Sequence, residues 1–417
     1  MERLLIRGGR KLQGTITASG AKNAALPIMA ACILIKDEVR LDRVPDITDV
    51  HVMTEILQYL GAAIKKENDT LVINCSGIDK FKAPYELVKK IHASFDITGP
   101  LLARFKEAQV PFPGGCVIGT RAINFHIDGF AALGAQVGLE YGYLKTRTDK
   151  LVGTRFYVGR SSVGATKNIM MTACFASGVT ILENAAREPE VSDLANFLCA
   201  MGARIRGIGT PILEIEGVES LHGGSYKIIS DRIEGGTYLL AGAATGGDVT
   251  VRGLSPHFLE GFLDRLTSAG ILVETGADFV RVVGNPEVSP VDLMTAPFPG
   301  FPTDLQAPIV ALLAVAKGIS IVQETIFDGR FNYVPELRRM GADIRVADRT
   351  AVIRGVPMLT GAPVESPDIR AGGGLVIAGL VADGYSEVGG LEFLHRGYEH
   401  FEEKLASLGA EIKKVKS

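Results

Sequence analysis

The sequence predicts an α/β (α+β) protein of two domains, each built from three repeats of about 70 residues with buried helices and β-hairpins. Three observations lead to this fold class. A glycine recurs at a regular interval, an alternating pattern follows each such glycine, and a second set of helices is apolar on nearly every side. The chain has 417 residues, more than one hydrophobic core usually serves, which favours two domains.

The recurring glycine ends a segment with helical apolar spacing, as in "QYLG", "CAMG" and "TSAG". A glycine in this position is typical of a left-handed helix C-cap. Alternating polarity follows it, as in the stretch from Ile344 to Ile353 around Asp348-Arg349, which predicts two strands joined by a turn. The six glycines recur every 68 to 73 residues and are Gly61, Gly134, Gly202, Gly270, Gly341 and Gly409.

A second set of helices alternates with the first. Each opens with a polar or glycine-containing turn and then carries Ala, Gly, Leu, Ile and Met on nearly every face, which is typical of a buried helix. The six segments are "SGAKNAALPIMAA", "ITGPLLARF", "SVGATKNIMMTA", "RIEGGTYLLAGA", "FPTDLQAPIVALLAVA" and "DIRAGGGLVIAGLVA".

Three repeats per domain place the boundaries. We expect residues 22–229 to form the first domain, and residues 1–21 with 230–417 to form the second. The second domain would contain both termini, because the N-terminal strand "RLLIRGG" completes the last repeat by the period. A solenoid is the alternative, but solenoid repeats usually have 20–50 residues. A unit of about 70 residues is large enough to be a layered subdomain.

Composition narrows the class of partner. A net charge of −3 gives no general attraction to nucleic acid or to an anionic membrane surface. The apolar stretch of residues 24–35 is too short to cross a bilayer, and the N-terminus lacks the pattern of a secretory signal. No metal-binding motif is present. We therefore expect a cytoplasmic protein without a metal. Four of the five cysteines lie in apolar runs typical of reduced thiols: Cys32, Cys75, Cys174 and Cys199.

The first turns of the buried helices are candidate anion sites, because helix N-termini carry free N–H groups and partial positive charge. If the helix starts of the two domains meet in one cleft, that cleft binds polyanions. The alternative is that these residues are caps and solvated surface. The residues at or beside the starts are Lys22, Asn23, His92, Arg160, Ser162, Gly164, Arg232, Asp304 and Arg370.

Cys116 lies in "PFPGGCVIGTR", a loop with two glycines directly before it. Gly114 and Gly115 allow a tight turn, and the nearby Arg121 favours a thiolate. Such a thiol can serve as a general acid, a nucleophile or both. The alternative is a cysteine packed under its own turn.

Other charged residues have two interpretations each. Lys22 enters a very apolar helix, so it needs a partner or an anion. Asp304, after three prolines, is either a helix cap or a catalytic base. Arg370 and Arg396 are either anion clamps or ordinary surface arginines.

Nine motifs, in order, carry a family resemblance. The sequence from about residue 3 to about residue 413 resembles the UDP-N-acetylglucosamine enolpyruvyl transferases, also called UDP-N-acetylglucosamine 1-carboxyvinyltransferases. The resemblance implies two inside-out α/β domains that close over a cleft. It also implies transfer of enolpyruvyl from phosphoenolpyruvate to the 3′-hydroxyl of UDP-N-acetylglucosamine, with release of phosphate and no cofactor. The motifs include "SGAKNAALPIMAA", "PGGCVIGTR", "SVGAT", "FPTDLQA", "DIRAGGGLVIAG" and "HRGYEHFEEKL".

The resemblance also implies residue roles. Cys116 would protonate the enolpyruvyl methylene and be the target of epoxide antibiotics of the fosfomycin type, and Asp304 would be the base for the 3′-hydroxyl. Lys22 and Arg396 would bind phosphoenolpyruvate, and Asn23 would face both substrates. Asp368 and Arg370 would lie near the reacting centre, and Ile326, like Asp304, would contact the sugar. The uridine segment would be Arg121, Ala122, Ile123, Asn124 and Phe125, and the diphosphate segment Arg160, Ser161, Ser162 and Val163.

Two positions depart from the family. His92 stands where the family usually has an arginine, and Arg160 where a lysine is common. Free histidine titrates near pH ~6.5, so we hypothesise that Asp96, four residues later, keeps His92 protonated for an anion. Two alternatives remain open: an enolpyruvyl transferase with another acceptor, such as shikimate 3-phosphate, and a non-catalytic protein that senses the UDP-sugar, for which His92 is the only sequence support.

Overall fold

A computed structural model describes residues 2–112 and 123–416 of the chain. Contacts divide these residues into two compact units. The first unit takes residues 20–112 and 123–229, and the second unit takes residues 2–19 and 230–416. Each unit has its own hydrophobic core. The mixed α/β architecture expected from the repeats is confirmed.

In its described residues, the first unit combines buried and surface helices with three sheets. Its helices are Lys22–Ala31, Thr48–Leu60, Tyr85–Val88, Thr98–Phe105, Asn124–Ala132, Val163–Ala173 and Pro189–Ala200, with 3₁₀ turns at Cys32–Leu34, His92–Ile97 and Gly159–Ser161. Its strands are Glu38–Asp42, Ala63–Glu67, Thr70–Asn74, Glu107–Pro111, Gln136–Glu140, Tyr143–Arg147, Arg155–Tyr157, Val179–Glu183, Arg204–Arg206, Ile212–Glu216 and Gly224–Lys227.

The second unit repeats this arrangement. Its helices are Arg232–Ala244, Glu260–Ser268, Gln306–Leu313, Val334–Arg339, Ile369–Val381, Leu391–Leu394 and Phe401–Ser407, with 3₁₀ turns at Pro256–Phe258 and Thr303–Leu305. Its strands are Glu2–Arg7, Gln13–Thr17, Asp248–Arg252, Leu272–Thr275, Phe279–Val283, Leu293–Met294, Ile319–Gln323, Asp343–Ala347, Thr350–Arg354, Pro363–Glu365, Tyr385–Gly389 and Glu411–Lys416.

The sheets share one strand order. One sheet illustrates the order. Asp343–Ala347 forms a hairpin with Thr350–Arg354, and Thr350–Arg354 also pairs antiparallel with Ile319–Gln323. Leu293–Met294 then pairs parallel with Ile319–Gln323 at the edge. The sheet of Glu107–Pro111 has three strands, and its parallel edge is reduced to a single bridge. Because buried and exposed residues alternate along the strands, each sheet covers the core with one face.

The sheet that contains the Glu411–Lys416 strand differs in how it is assembled. Glu411–Lys416 takes the place that the first strand of a hairpin has in the other sheets. Its antiparallel partner, however, is Glu2–Arg7 from the other end of the sequence. Glu2–Arg7 also pairs antiparallel with Tyr385–Gly389, so it lies in the interior of this sheet. The last repeat is thus completed by residues near the start of the chain.

The six recurring glycines have the predicted conformation. Each has a positive φ, between 80° at Gly270 and 117° at Gly61. Gly61 directly follows the end of a surface helix, and each of the other five lies two positions after the last residue of one. The expectation of left-handed helix ends is therefore confirmed.

The buried helices approach one another closely because they are rich in glycine and alanine. In the second unit, a Cβ atom on Gly374 of the Ile369–Val381 helix would lie 2.8 Å from the carbonyl oxygen of Ala307. Such a distance leaves room for glycine only. Within the described part of the chain, no helix combines the length and the apolar character needed to cross a membrane.

Candidate active site

The described site residues fall into two groups, one in each unit. Cys116, Arg121 and Ala122 lie outside the described residues, so their roles stay predictions. The first unit holds Lys22, Asn23, His92, Ile123, Asn124, Phe125, Arg160, Ser161, Ser162 and Val163, and the second unit holds Asp304, Ile326, Asp368, Arg370 and Arg396.

Lys22 begins the Lys22–Ala31 helix and is only 8% exposed, with the half-buried Asn23 next to it. Its Nζ lies 2.9 Å from Oδ2 of Asp49, which is 2% exposed on the Thr48–Leu60 helix. A buried ammonium needs a compensating charge. The sequence required a partner or an anion for Lys22, and the structure supplies a partner from the neighbouring helix.

The predicted diphosphate segment forms a tight turn that leads into the Val163–Ala173 helix. The exposed Arg160 and the following Ser161 have φ values of 52° and 46°, a left-handed conformation that is costly for residues with a side chain. The Ser161 hydroxyl donates to Oδ1 of Asn184 at 2.7 Å. The Ser162 hydroxyl oxygen accepts a backbone N–H in the first turn of the helix at 3.3 Å. A polar turn at a helix N-terminus suits an anion.

The described end of the predicted uridine segment opens the Asn124–Ala132 helix. Ile123 is its N-cap residue, Asn124 is exposed and Phe125 is half-buried. The Phe125 ring lies on Gly159, so closely that a Cβ atom there would be 2.1 Å from Cε1 of the ring. The structure thus brings together residues predicted for the uridine and the diphosphate.

His92 is half-buried at the start of the His92–Ile97 turn. Asp96, in the same turn, accepts a hydrogen bond from Nζ of Lys167 at 2.9 Å, and both side chains are buried. The carboxylate that we expected to serve His92 therefore already faces a lysine from the Val163–Ala173 helix. That Asp96 keeps His92 protonated stays a prediction.

In the second unit, the carboxylate of Asp304 lies between two arginines. Its Oδ1 is 2.8 Å from Nη2 of Arg330, and its Oδ2 is 3.3 Å from Nε and from Nη2 of Arg370. The arginine side chains are 3% and 5% exposed, whereas that of Asp304 is 24% exposed. Two permanent positive charges face the carboxylate from inside. Asp304 is not the N-cap of its turn, a position held by Pro302, so the interpretation as a simple cap is not supported.

Glu324 connects the turn of Asp304 with Ile326. Its buried carboxylate accepts hydrogen bonds from the hydroxyl of Thr303 at 2.9 Å and from the backbone N–H groups of Ile326 and Phe327 at 2.8 and 3.1 Å. One carboxylate therefore binds the predicted sugar contact Ile326 and Thr303, the residue directly before the other predicted sugar contact, Asp304. A charged acceptor makes these hydrogen bonds stronger than neutral ones.

Carboxylates fill two of the helix starts that we expected to receive anions. Asp231 accepts the N–H groups of Ile233 and Glu234, and Asp368 accepts those of Arg370 and Ala371. These four hydrogen bonds are 2.8 to 3.0 Å long. The N-termini of the Arg232–Ala244 and Ile369–Val381 helices are therefore already capped by a carboxylate of the chain itself.

The Arg370 guanidinium lies over the ring of the buried Tyr398, with Cζ 5.3 Å from the ring centroid. Its Nη1 is buried and has no hydrogen-bond partner among the described residues. The half-buried Arg396 lies in the turn just before Tyr398, and the neighbouring Gly397 packs on Ile369. The structure therefore brings Arg396 to the start of the helix that carries Arg370.

Sequence reasoning missed four residues that the geometry makes central. Asp49, Arg330 and Glu324 are buried partners of predicted site residues, and His126 packs behind the diphosphate turn. A charged residue on the apolar side of an amphipathic helix, as Asp49 in "ITDVHVMTEIL", was an available signal. No local pattern in the sequence indicates the partners of the other three.

The fold defines the class of protein as the two-domain enolpyruvyl transferases. A solved structure described as the enolpyruvyl transferase NikO from Streptomyces tendae is 26% identical, with a TM-score of 0.90, over 100% of this chain and 99% of that chain. EPSP synthase from Acinetobacter baumannii, 16% identical with a TM-score of 0.76 over the whole of both chains, shares the fold.

The chain belongs to the EPSP synthase (3-phosphoshikimate 1-carboxyvinyltransferase) family, whose model matches residues 6–405. Among its relatives is UDP-N-acetylglucosamine 1-carboxyvinyltransferase 3 of Caldanaerobacter subterraneus, 47% identical over 100% of both chains. The protein of Desulfosudis oleivorans named UDP-N-acetylglucosamine 1-carboxyvinyltransferase is also 47% identical over 100% of both. A Symbiobacterium thermophilum protein with the same name and the number 2 is 49% identical over 99% of this chain and 98% of its own.

Proposed function

We propose that this protein transfers the enolpyruvyl group of phosphoenolpyruvate to the 3′-hydroxyl of UDP-N-acetylglucosamine and releases phosphate. The observation that carries the proposal is identity of 47–49% along essentially the whole chain with relatives named for this reaction. In the cell, this reaction is the first committed step of peptidoglycan synthesis and takes place in the cytoplasm.

The proposed chemistry is addition followed by elimination. The 3′-hydroxyl oxygen bonds to C2 of phosphoenolpyruvate while C3 takes a proton, which gives a tetrahedral ketal. Loss of the proton from C3 and of phosphate from C2 then gives the enol ether. Cys116 delivers the proton to C3, and Asp304 accepts the proton of the hydroxyl. The partly exposed Asp304 carboxylate, with arginines behind it, is suited to meet a hydroxyl from its open side.

Anion binding is assigned to cations that the fold holds in place. In the second unit, Arg370 and Arg396 receive the carboxylate and phosphate of phosphoenolpyruvate. The buried Nη1 of Arg370 supports this role, because a buried donor without a partner is costly unless a ligand satisfies it. In the first unit, Lys22 and His92 supply further charge, and Asn23 a polar contact.

The UDP part of the acceptor is assigned to the first unit. The diphosphate binds at the Arg160–Val163 turn, where a positive side chain and a helix N-terminus coincide. The uridine binds along residues 121–125. The sugar contacts Asp304 and Ile326, and Asp368 lies near the reacting atoms.

A phosphate-release assay tests the proposal directly. The protein is mixed with phosphoenolpyruvate and UDP-N-acetylglucosamine, with phosphoenolpyruvate and shikimate 3-phosphate, or with phosphoenolpyruvate alone. We expect release only in the first mixture. Release with shikimate 3-phosphate would identify another acceptor, and tight UDP-sugar binding without any release would identify a sensor instead of an enzyme.

Replacement of Cys116 by Asp tests the role of the thiol. Aspartic acid is also a proton donor. It cannot form a thioketal with phosphoenolpyruvate, as the Cys116 sulfur could, and it does not react with an epoxide as a thiolate does. We expect Cys116→Asp to retain activity and to lose sensitivity to fosfomycin and to alkylating agents. Complete loss of turnover would favour an obligatory covalent role for the thiol.

A further inference from the structure

Two aromatic rings at the start of the Asn124–Ala132 helix lie against two glycines around the diphosphate turn. A Cβ atom on Gly159 would lie 2.1 Å from Cε1 of Phe125, and one on Gly164 would lie 3.1 Å from Nε2 of His126. The first distance is sterically impossible and the second is tighter than most contacts of real Cβ atoms. The absence of a side chain at both positions is therefore what lets the rings approach this backbone.

The segment between the two glycines is strained. Arg160 and Ser161 are consecutive residues with positive φ, and neither is a glycine. Such backbone persists only where the surroundings over-determine it. Asn184 fixes the middle of the turn, because its Oδ1 accepts the Ser161 hydroxyl at 2.7 Å and its Nδ2 donates to the carbonyl oxygen of Val158 at 2.8 Å. The rings of Phe125 and His126 brace the two ends.

His126 is suited to a packing role. It is 7% exposed, and its ring stands edge-on to that of Phe95 with centroids 5.0 Å apart. Its Nδ1 is buried without a hydrogen-bond partner among the described residues. Burial, assisted by the nearby charge of Lys167, lowers the pKa of His126 to about 3. The imidazole is therefore neutral at physiological pH, and it packs as an uncharged ring.

We propose that His126 is a positioning residue whose ring, wedged on Gly164, holds the Arg160–Ser161 turn in the shape that receives a nucleoside diphosphate. This inference rests on the proposed function, in which that turn binds the diphosphate of the acceptor. The ring need not touch the substrate. It keeps a strained turn in its binding conformation, so the free energy of binding is not reduced by the cost of ordering the turn.

The test compares His126→Ala, His126→Phe and Gly164→Ala with the wild-type protein. His126→Ala removes the ring, His126→Phe restores an uncharged ring, and Gly164→Ala forces the backbone and the ring apart. His222→Ala is the matched control, because this exposed histidine also lies against a glycine of the first unit, Gly202. For each variant, the Kd for UDP-N-acetylglucosamine and for UDP is measured by calorimetry, with KM for both substrates, kcat and the melting temperature.

We expect His126→Ala to raise the Kd for both nucleotides about 10-fold and to change the KM for phosphoenolpyruvate and kcat less than about 2-fold. His126→Phe is expected to restore most of the affinity, and His222→Ala to leave it unchanged. Gly164→Ala should weaken binding in the wild-type background but have little further effect beside His126→Ala, because the clash has gone. Such non-additivity is not expected of two independent structural defects.

Three outcomes would contradict the inference. One is His126→Ala with unchanged nucleotide affinity in a folded protein. Another is additivity of His126→Ala and Gly164→Ala, and the third is equal loss in the affinities for phosphoenolpyruvate and for the nucleotide. If His126→Ala does not fold, the inference is decided by the Kd values of His126→Phe and Gly164→Ala for the two nucleotides. A wild-type protein that releases phosphate while His126→Ala binds normally overturns only this inference, whereas a wild-type protein that binds no UDP-sugar overturns the proposed function as well.

Discussion

The ammonium group of Lys22 and the carboxylate of Asp49 lie 2.9 Å apart, and both side chains are buried. Breaking a buried pair leaves an uncompensated charge, which costs about 3–5 kcal/mol. We expect Asp49→Ala to lower the free energy of unfolding by about 3 kcal/mol and to raise the KM for phosphoenolpyruvate, since Lys22 loses its fixed position. Urea titration and steady-state kinetics measure the two effects.

An exposed pair is the control for this prediction. Lys317 and Glu287 lie 2.5 Å apart at the surface of the second unit. Because exposed ion pairs contribute little, we expect no measurable change in stability from Glu287→Ala. Equal effects of the two substitutions would contradict the importance given to burial of the Lys22–Asp49 pair.

Asp304→Asn is expected to lower kcat by about 100-fold or more, with little change in affinity for the UDP-sugar. Asparagine keeps an oxygen that can accept a hydrogen bond from Arg330 or Arg370, but it cannot take up the proton of the 3′-hydroxyl of the acceptor. Rapid-quench or phosphate-release kinetics measure the rate. Asp248→Asn, which changes a carboxylate bound to Arg281 at the surface of the same unit, should leave kcat unchanged. A kcat for Asp304→Asn near the wild-type value would remove Asp304 as the base.

The pH dependence of stability should contain a contribution from Glu234. Its carboxylate is buried and binds the backbone N–H of Ser19 at 2.6 Å and Nζ of Lys404 at 2.7 Å. Burial raises the pKa of Glu234 from 4.5 to about 7, against the opposing effect of Lys404. Between those two values, the folded protein holds a proton that the unfolded chain has lost, so this group increases stability as the pH falls through the window.

Glu234→Gln removes that contribution. Between pH 7.5 and pH 5.5, we expect the wild type to gain about 2 kcal/mol in the free energy of unfolding relative to Glu234→Gln. Urea titrations at both pH values measure the difference. Glu287→Gln is the control, because Lys317 holds the pKa of Glu287 below its usual value, outside the window. Parallel stability curves for wild type and Glu234→Gln would show that Glu234 does not titrate there.

The left-handed glycines that end the surface helices should tolerate alanine poorly. Gly341 has a φ of 91°, and the nearest atom to an added Cβ is Oγ1 of Thr360 at 3.8 Å, so the cost of Gly341→Ala is conformational. We expect a loss of about 1–2 kcal/mol. Gly138→Ala, in a strand with open space around the added Cβ, should be neutral or slightly stabilising. Thermal or chemical unfolding of both variants checks the contrast.

The repeats could be predicted from the sequence because each leaves a local signal. A helix that must stop in a left-handed residue requires a glycine, and six such glycines at one interval are visible without a structure. All-apolar helices such as Ile369–Val381 likewise indicate burial on every side. Architecture is thus encoded in short segments, which explains why this part of the prediction is confirmed.

The pairings within the site could not be predicted in the same way. Asp304 and Arg370 are 66 positions apart, and Asp96 and Lys167 are 71 positions apart. These contacts form only when different repeats pack together, so a single sequence contains no spacing that reveals them. The local rule that residues four apart face each other on a helix suggested His92 as a partner of Asp96, which stays a prediction. The ion pair of Asp96 with Lys167 comes from another repeat, and no local rule indicates it.

The Glu2–Arg7 strand has a consequence for the order of events during synthesis. It lies between Tyr385–Gly389 and Glu411–Lys416, so a strand that is made early finds both neighbours only after residues 385–416 have been made. The first unit, residues 20–112 and 123–229, by contrast, has all of these residues long before that. Domains generally fold as units while the chain is made. The first unit can therefore fold while the chain is still being made, whereas the Glu2–Arg7 strand of the second unit stays unpaired until residues 385–416 have followed.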